Sequence, residues 1–191
     1  MKRYLRLLPV IFVIALAACA KPPKAEMDAA ETAVANLENS ADVVAYAPDS
    51  LQRARSLIDQ MRTESKNRHY DKAKALASEA TAAADAAVAE AQTNKEKAKS
   101  QAEELIAAVK KAIPETQKLL ASAARVARAG IDKVARTAEI EGAKKALAEA
   151  EAALAKGDYL VAVEKAGAAQ KTLADMDSSI SSAVQAATRK K

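Results

Sequence analysis

The sequence predicts an all-α protein: elongated antiparallel helical hairpins packed as a coiled-coil-like bundle, in two degenerate three-helix repeats. Three observations predict it. First, 51 of the 191 residues are alanine, and there are only four Gly and five Pro. With Leu, Glu, Lys, Gln and Arg, alanine makes up most of the chain, and these are the best helix formers. Second, apolar residues recur at helical spacing along nearly the whole chain beyond residue 24, and strand alternation is missing. Third, the chain repeats itself. Tyr70 and Tyr159 stand 89 residues apart, and at that offset Leu51 matches Ile140, Ala54 matches Ala143 and Ile58 matches Leu147. Ala73, Ala77 and Ala80 likewise match Ala162, Ala166 and Ala169.

The elements follow in order. Lys2, Arg3 and Arg6 precede an apolar run of 14 residues, Leu7 to Ala20, broken only by Pro9. That is shorter than the ~20 residues a membrane-crossing helix needs and has the layout of a secretory signal. The run ends Leu16-Ala17-Ala18-Cys19, which resembles the bacterial lipobox. The resemblance implies cleavage after residue 18 and acylation of Cys19, the only cysteine. Ala20 follows the cysteine where an Asp would signal retention, so the expected address is the periplasmic face of the outer membrane. Residues 19–24 read as the acylated Cys and a linker with Pro22-Pro23 as an extended spacer.

The first repeat is expected over 25–113. One helix runs from about Ala25 to Asn39, then a loop around Tyr46-Ala47-Pro48. A second helix starts near Asp49 or Ser50, either able to cap it, and puts Leu51, Ala54, Ile58 and Met61 on one face. After a break near Asn67 a third helix runs from His69 or Tyr70 to about Ile113. Tyr70, Ala77, Ala84, Ala91, Ala98, Leu105 and Ala112 fall seven apart along it, with Ala73, Ala80, Ala87 and Ala108 on the complementary seam. Asn94 and Gln101 interrupt that seam; they could fix its register, although the shortness of the second helix favours reading them as the place where the partner helix ends.

The second repeat is expected over 114–188. Pro114 disrupts a preceding helix and suits a first turn. Leu119, Ala123, Val126 and Val134 line one stripe that Gly130 bends; Ile140, Ala143, Leu147, Ala150 and Leu154 line the next. Gly157-Asp158 is a stop–start signal. From Tyr159 the 3-4 spacing continues through Ala162, Ala166, Ala169, Leu173, Met176, Ile180, Ala183 and Ala187. Residues 189–191 form a basic tail.

Composition excludes several functions. Four glycines leave no phosphate-cradling loop, and one His with one Cys cannot make a Cys/His zinc site or an internal disulfide. No cofactor is expected beyond acyl chains on Cys19. Without the signal the chain has 27 Lys+Arg against 25 Asp+Glu, too even a balance for a nucleic-acid partner. Carboxylates are plentiful, but acid–base chemistry also needs a cleft that shifts a pKa, which thin Ala-packed helices rarely form. An enzyme is not expected.

The stretch Ala45-Tyr46-Ala47-Pro48, then Leu51, Ala54, Leu57, His69-Tyr70 and Ala73, resembles Gram-negative envelope lipoproteins of domain-of-unknown-function family 4398. Lys156-Gly157-Asp158-Tyr159 looks like a second instance of that family's Gly-Asp-Tyr turn. The resemblance covers about residues 22 to 95, and 138 to 187 more loosely. It implies a helical envelope lipoprotein and supplies no catalytic residue.

Several residues admit a functional and a plain reading. His69 has no second His beside it and reads as a turn residue. Tyr70 and Tyr159 could stack on glycan rings, although their repeat positions favour packing at the hairpin turn. Arg125 and Arg128, with Lys118, Lys133 and Arg136, form a basic segment that could meet a partner or remain a solvated face. The ending Arg189-Lys190-Lys191 is similar to that of murein lipoproteins, whose terminal Lys is joined to peptidoglycan; basic helix ends also arise for dipole reasons. The expected function is therefore an anchored structural or adaptor element, with the membrane as partner through the lipid and an envelope protein or peptidoglycan as a further one. The alternatives are a peptidoglycan- or glycan-binding module and an amphipathic stress-protective protein.

Overall fold

The computed structural model describes residues 21–126 and 129–189. Leu16, Ala17, Ala18, Cys19, Arg128 and Lys191 lie outside the described residues. The helices are α1 (Lys24–Glu38), α2 (Ala41–Tyr46), α3 (Pro48–Lys66), α4 (Tyr70–Ala123), α5 (Lys133–Lys156) and α6 (Tyr159–Arg189). Among the described residues there is no strand. The chain divides into two compact units between Gln92 and Thr93, inside α4.

The first unit packs α1, α3 and the start of α4, with α2 bridging α1 and α3. Ion pairs give the directions. Arg62 meets Glu31 at 2.8 Å and Arg55 meets Glu38 at 2.7 Å, so α1 and α3 are antiparallel. Lys74 meets Glu26 at 2.8 Å, so α1 and α4 are parallel. The core joins Ala30, Val34 and Leu37 of α1, the expected Leu51, Ala54, Ile58 and Met61 of α3, and the seam Ala73 to Ala91 of α4. Small side chains let the helix axes approach closely while each buries little area.

The loop expected around Tyr46-Ala47-Pro48 is mostly helical. Ser40 caps α2 by accepting from the Val43 amide at 3.4 Å, and Val43 enters the core. Ala47 alone separates α2 from α3, with φ −141° and ψ 49°. Pro48 opens α3, a first-turn role that needs no amide donor. Neither Asp49 nor Ser50 is the cap; Asp49 lies in the first turn, where the helix dipole favours a carboxylate.

The second unit packs the rest of α4 with α5 and α6. Ala102 clusters with Ala153 and Ala162, and Ile106 with Ala150 and Ala166. Val109, Ile113, Leu120 and Ala123 join Ile140, Ala143, Ala169, Leu173, Met176 and Ile180. Rising numbers on α4 meet falling numbers on α5 and rising numbers on α6. The unit thus has the same up-down-up order as the first.

Three expectations need correction. The third helix does not stop at Ile113, and Pro114 does not open the second repeat: α4 passes through Pro114 to Ala123. Pro114 is exposed, so the Lys110 carbonyl it leaves unbonded can turn to water. The buried residues on either side, Val109, Ile113, Thr116 and Leu120, share one bundle, and their burial outweighs the proline penalty of ~3 kcal/mol. The stop falls later. Gly130 takes φ +61°, and Asp132 caps α5 by accepting from the Val134 and Ala135 amides at 3.0 and 3.1 Å.

The seam also changes phase. After Ala98 the buried positions are Ala102, Ile106, Val109 and Ile113, leaving Leu105, Ala108 and Ala112 half-buried. Two successive four-residue steps, Ala98 to Ala102 to Ile106, break the heptad as a stutter does. Finally, Val134 is 82% exposed and belongs to no stripe.

Candidate functional site

The two hairpin turns are the features that the repeat places alike. In the first unit the Arg68 amide donates to Ser65 O at 3.0 Å and the His69 amide to Glu64 O at 2.9 Å. In the second the Gly157 amide donates to Leu154 O at 3.1 Å and the Asp158 amide to Ala153 O at 2.9 Å. Both are Schellman caps, which need a left-handed residue just past the helix. Gly157 meets that need at φ +85°; Arg68 occupies the equivalent place at φ +61° and is the one non-glycine with positive φ among the described residues.

Tyr70 and Tyr159 each follow such a turn as the first residue of a long helix, and both are half-buried. They belong to different units. Arg125, exposed just past α4, lies at the end of the second unit opposite Tyr159. It stands beside an open groove of about 300 Å³ lined by Leu119, Val126 and Val184 among others. Tyr159 and Arg125 therefore do not form one site. Within the basic segment, Arg136 is engaged, donating to both Glu139 carboxylate oxygens and to Ser179 Oγ. His69 Nδ1 lies 2.5 Å from the Glu64 carboxylate of its own turn. Among the described residues, no group of three His, Cys, Asp or Glu side chains could hold a metal ion.

One cluster escapes a reading along the chain. Because α1 and α4 run parallel and α3 opposes them, the start of α1, the end of α3 and the start of α4 meet at one end of the first unit. That end carries Lys21, Lys24, Lys66, Arg68 and Lys72, all exposed. The signal that finds them is helix direction, since more than forty residues separate Lys24 from Lys66. Beside them, the hydrogen bond from Lys74 holds the Glu26 carboxyl below its usual range, and Lys74 is raised in return.

The molecule is thus an all-α protein of two small helical bundles. A family model described as "Domain of unknown function (DUF4398)" matches residues 25–105. The match covers α1 to α3 and α4 as far as Leu105, and it includes the Tyr46-Ala47-Pro48 junction and the first hairpin turn. No curated protein and no solved structure matches the chain. No described helix is long and apolar enough to cross a membrane.

Proposed function

We propose that the protein is a lipoprotein anchored on the periplasmic face of the outer membrane, acting there as a non-catalytic structural or adaptor element. One observation carries the reading: a basic start, then an apolar run ending in Leu16-Ala17-Ala18-Cys19, the chain's single cysteine. Two features support it. The first described helix begins at Lys24, a short linker beyond that cysteine. The resemblance carried by Ala45-Tyr46-Ala47-Pro48 and His69-Tyr70, which implies an envelope lipoprotein, falls within residues 25–105, where the model of a domain of unknown function matches. Acyl chains contribute ~0.8 kcal/mol per buried CH₂, so multiple chains hold a protein stably at a bilayer. The adaptor role falls to the exposed helix faces, which bear charged side chains over an alanine core.

The test is the intact mass of the protein from isolated envelopes, with and without muramidase. A mass starting at Cys19 plus acyl chains, unchanged by muramidase, is expected. A muropeptide mass on Lys191 would make the protein a membrane-to-wall spacer. A species retaining Met1 and carrying no lipid would overturn the reading.

A further inference from the structure

We propose that the anchor-proximal end of the first bundle is a docking face for anionic phospholipid headgroups, formed by Lys21, Lys24, Lys66, Arg68 and Lys72. The inference rests on the acylated anchor. From Cys19 to Lys24 the chain spans five residue steps, at most about 18 Å. The bundle end bearing these five side chains is therefore kept within reach of the lipid surface, and the opposite end is not. All five are exposed, and none joins an ion pair with another described residue. The acids at this end are Glu26, Asp28, Glu64 and Asp71. Lys74 engages Glu26, which leaves five unpaired cations against three carboxylates, one of them, Glu64, hydrogen-bonded to the His69 ring.

Charge is polarised along the unit. Toward the far end lie Glu38, Asp42, Asp49, Asp85 and Glu90 against Arg53 and Arg55. Two of the cations sit where isolated helices disfavour them: Lys24 is the first residue of α1 and Lys72 the third of α4, at helix N-termini whose dipole repels positive charge. An anionic surface facing that end reverses the penalty. A tether this short gives a high effective concentration, so a weak charge attraction suffices to orient the bundle. The attraction decays within a Debye length of ~8–10 Å and is salt-sensitive.

The test uses the acylated mature protein reconstituted into vesicles that carry a lipid-bound quencher. A fluorophore is placed through Asn67→Cys at the basic end or, as a control, through Gln52→Cys toward the other end. Vesicles contain either phosphatidylcholine alone or about 30% phosphatidylglycerol. Quenching at position 67 is expected to rise at least about threefold on the anionic vesicles, with little change at position 52. About 0.5 M salt, or the combined Lys66→Glu, Arg68→Glu and Lys72→Glu changes, should abolish the rise. The salt arm needs no mutation and keeps the result readable if the triple variant folds poorly. Equal quenching at position 67 on both compositions overturns the inference while leaving the anchor intact. Retention on purified sacculi that the triple change abolishes, without any lipid dependence, overturns it in favour of the wall. Failure to co-float with either vesicle removes the anchor reading and this inference with it.

Discussion

Arg68→Gly should stabilise the first bundle. A left-handed backbone costs a non-glycine residue ~1–2 kcal/mol, and Arg68 bears that cost at φ +61°. Glycine removes it but adds unfolded-state entropy worth ~0.4–1 kcal/mol. The Arg68 side chain is exposed and in no ion pair with a described residue, so its removal forfeits little else. The net gain should be about 0.5–1 kcal/mol. The second turn supplies the reciprocal experiment. A Cβ at Gly157 meets nothing within 4 Å, so Gly157→Arg should cost a similar amount through the backbone alone. Two units need not unfold in a single step, so the assay is native-state hydrogen exchange, read separately on α3 and α5. Arg68→Gly should raise protection along Leu51–Met61, and Gly157→Arg should lower it along Ile140–Ala153. If Arg68→Gly is neutral or destabilising while Gly157→Arg destabilises, the two turns are not equivalent and the reasoning fails.

Three further outcomes are expected. Pro114→Ala should raise the denaturant midpoint of the second unit by the equivalent of about 1–3 kcal/mol, because it restores a bond to the Lys110 carbonyl; no gain would mean that α4 is not continuous there. Thr116→Val should stabilise by about 1 kcal/mol in the same assay, since the Thr116 hydroxyl is fully buried without a partner and an unmet buried donor carries a desolvation penalty of that order. The Glu26–Lys74 pair depresses the Glu26 pKa, so its contribution is present above the ordinary carboxylate value of 4.5 and fades as pH falls through the lowered folded value; wild type and Glu26→Gln should differ in thermal stability at pH 7 and converge under strong acid.

The helical class and most core positions are legible because alanine seams and the 3-4 spacing act locally. The hairpin halves are legible for the same reason. At the 89-residue offset Leu51 and Ile140, Ala54 and Ala143, Ala73 and Ala162 are buried pair by pair. The start expected at Pro114 misplaces the first helix of the second repeat. Ion pairing aligns the two first helices differently: Glu31 faces Arg62 as Lys110 faces Glu151. That makes Val109 the counterpart of Ala30, Ile113 that of Val34, and buried Thr116 that of Leu37. The first helix of the second unit is therefore already running before Pro114, fused to the last helix of the first. Proline propensity is a local rule, and here burial on both sides of Pro114 overrides it. The basic end escaped for the opposite reason, since nothing local links Lys24 to Lys66 or Lys72.

The same alignment explains why the two cores differ in side-chain size. Ala84, Ala87 and Ala91 of α4 correspond to Leu173, Met176 and Ile180 of α6, and all six are buried. In the first unit α2 and the junction after it bring Val43 and Ala47 into the core cluster that holds those alanines. The second unit has no α2 counterpart among its described residues, and its own larger side chains occupy the corresponding layer. An added element in one unit thus stands against enlarged residues in the other, the exchange that close packing favours. Met176→Ala should therefore leave a cavity and cost ~2–5 kcal/mol, whereas Ala87→Met should overpack and cost ~1–3 kcal/mol. Urea unfolding of both variants checks this. A tolerated Ala87→Met would mean that α2 yields its place easily and does not fill that layer.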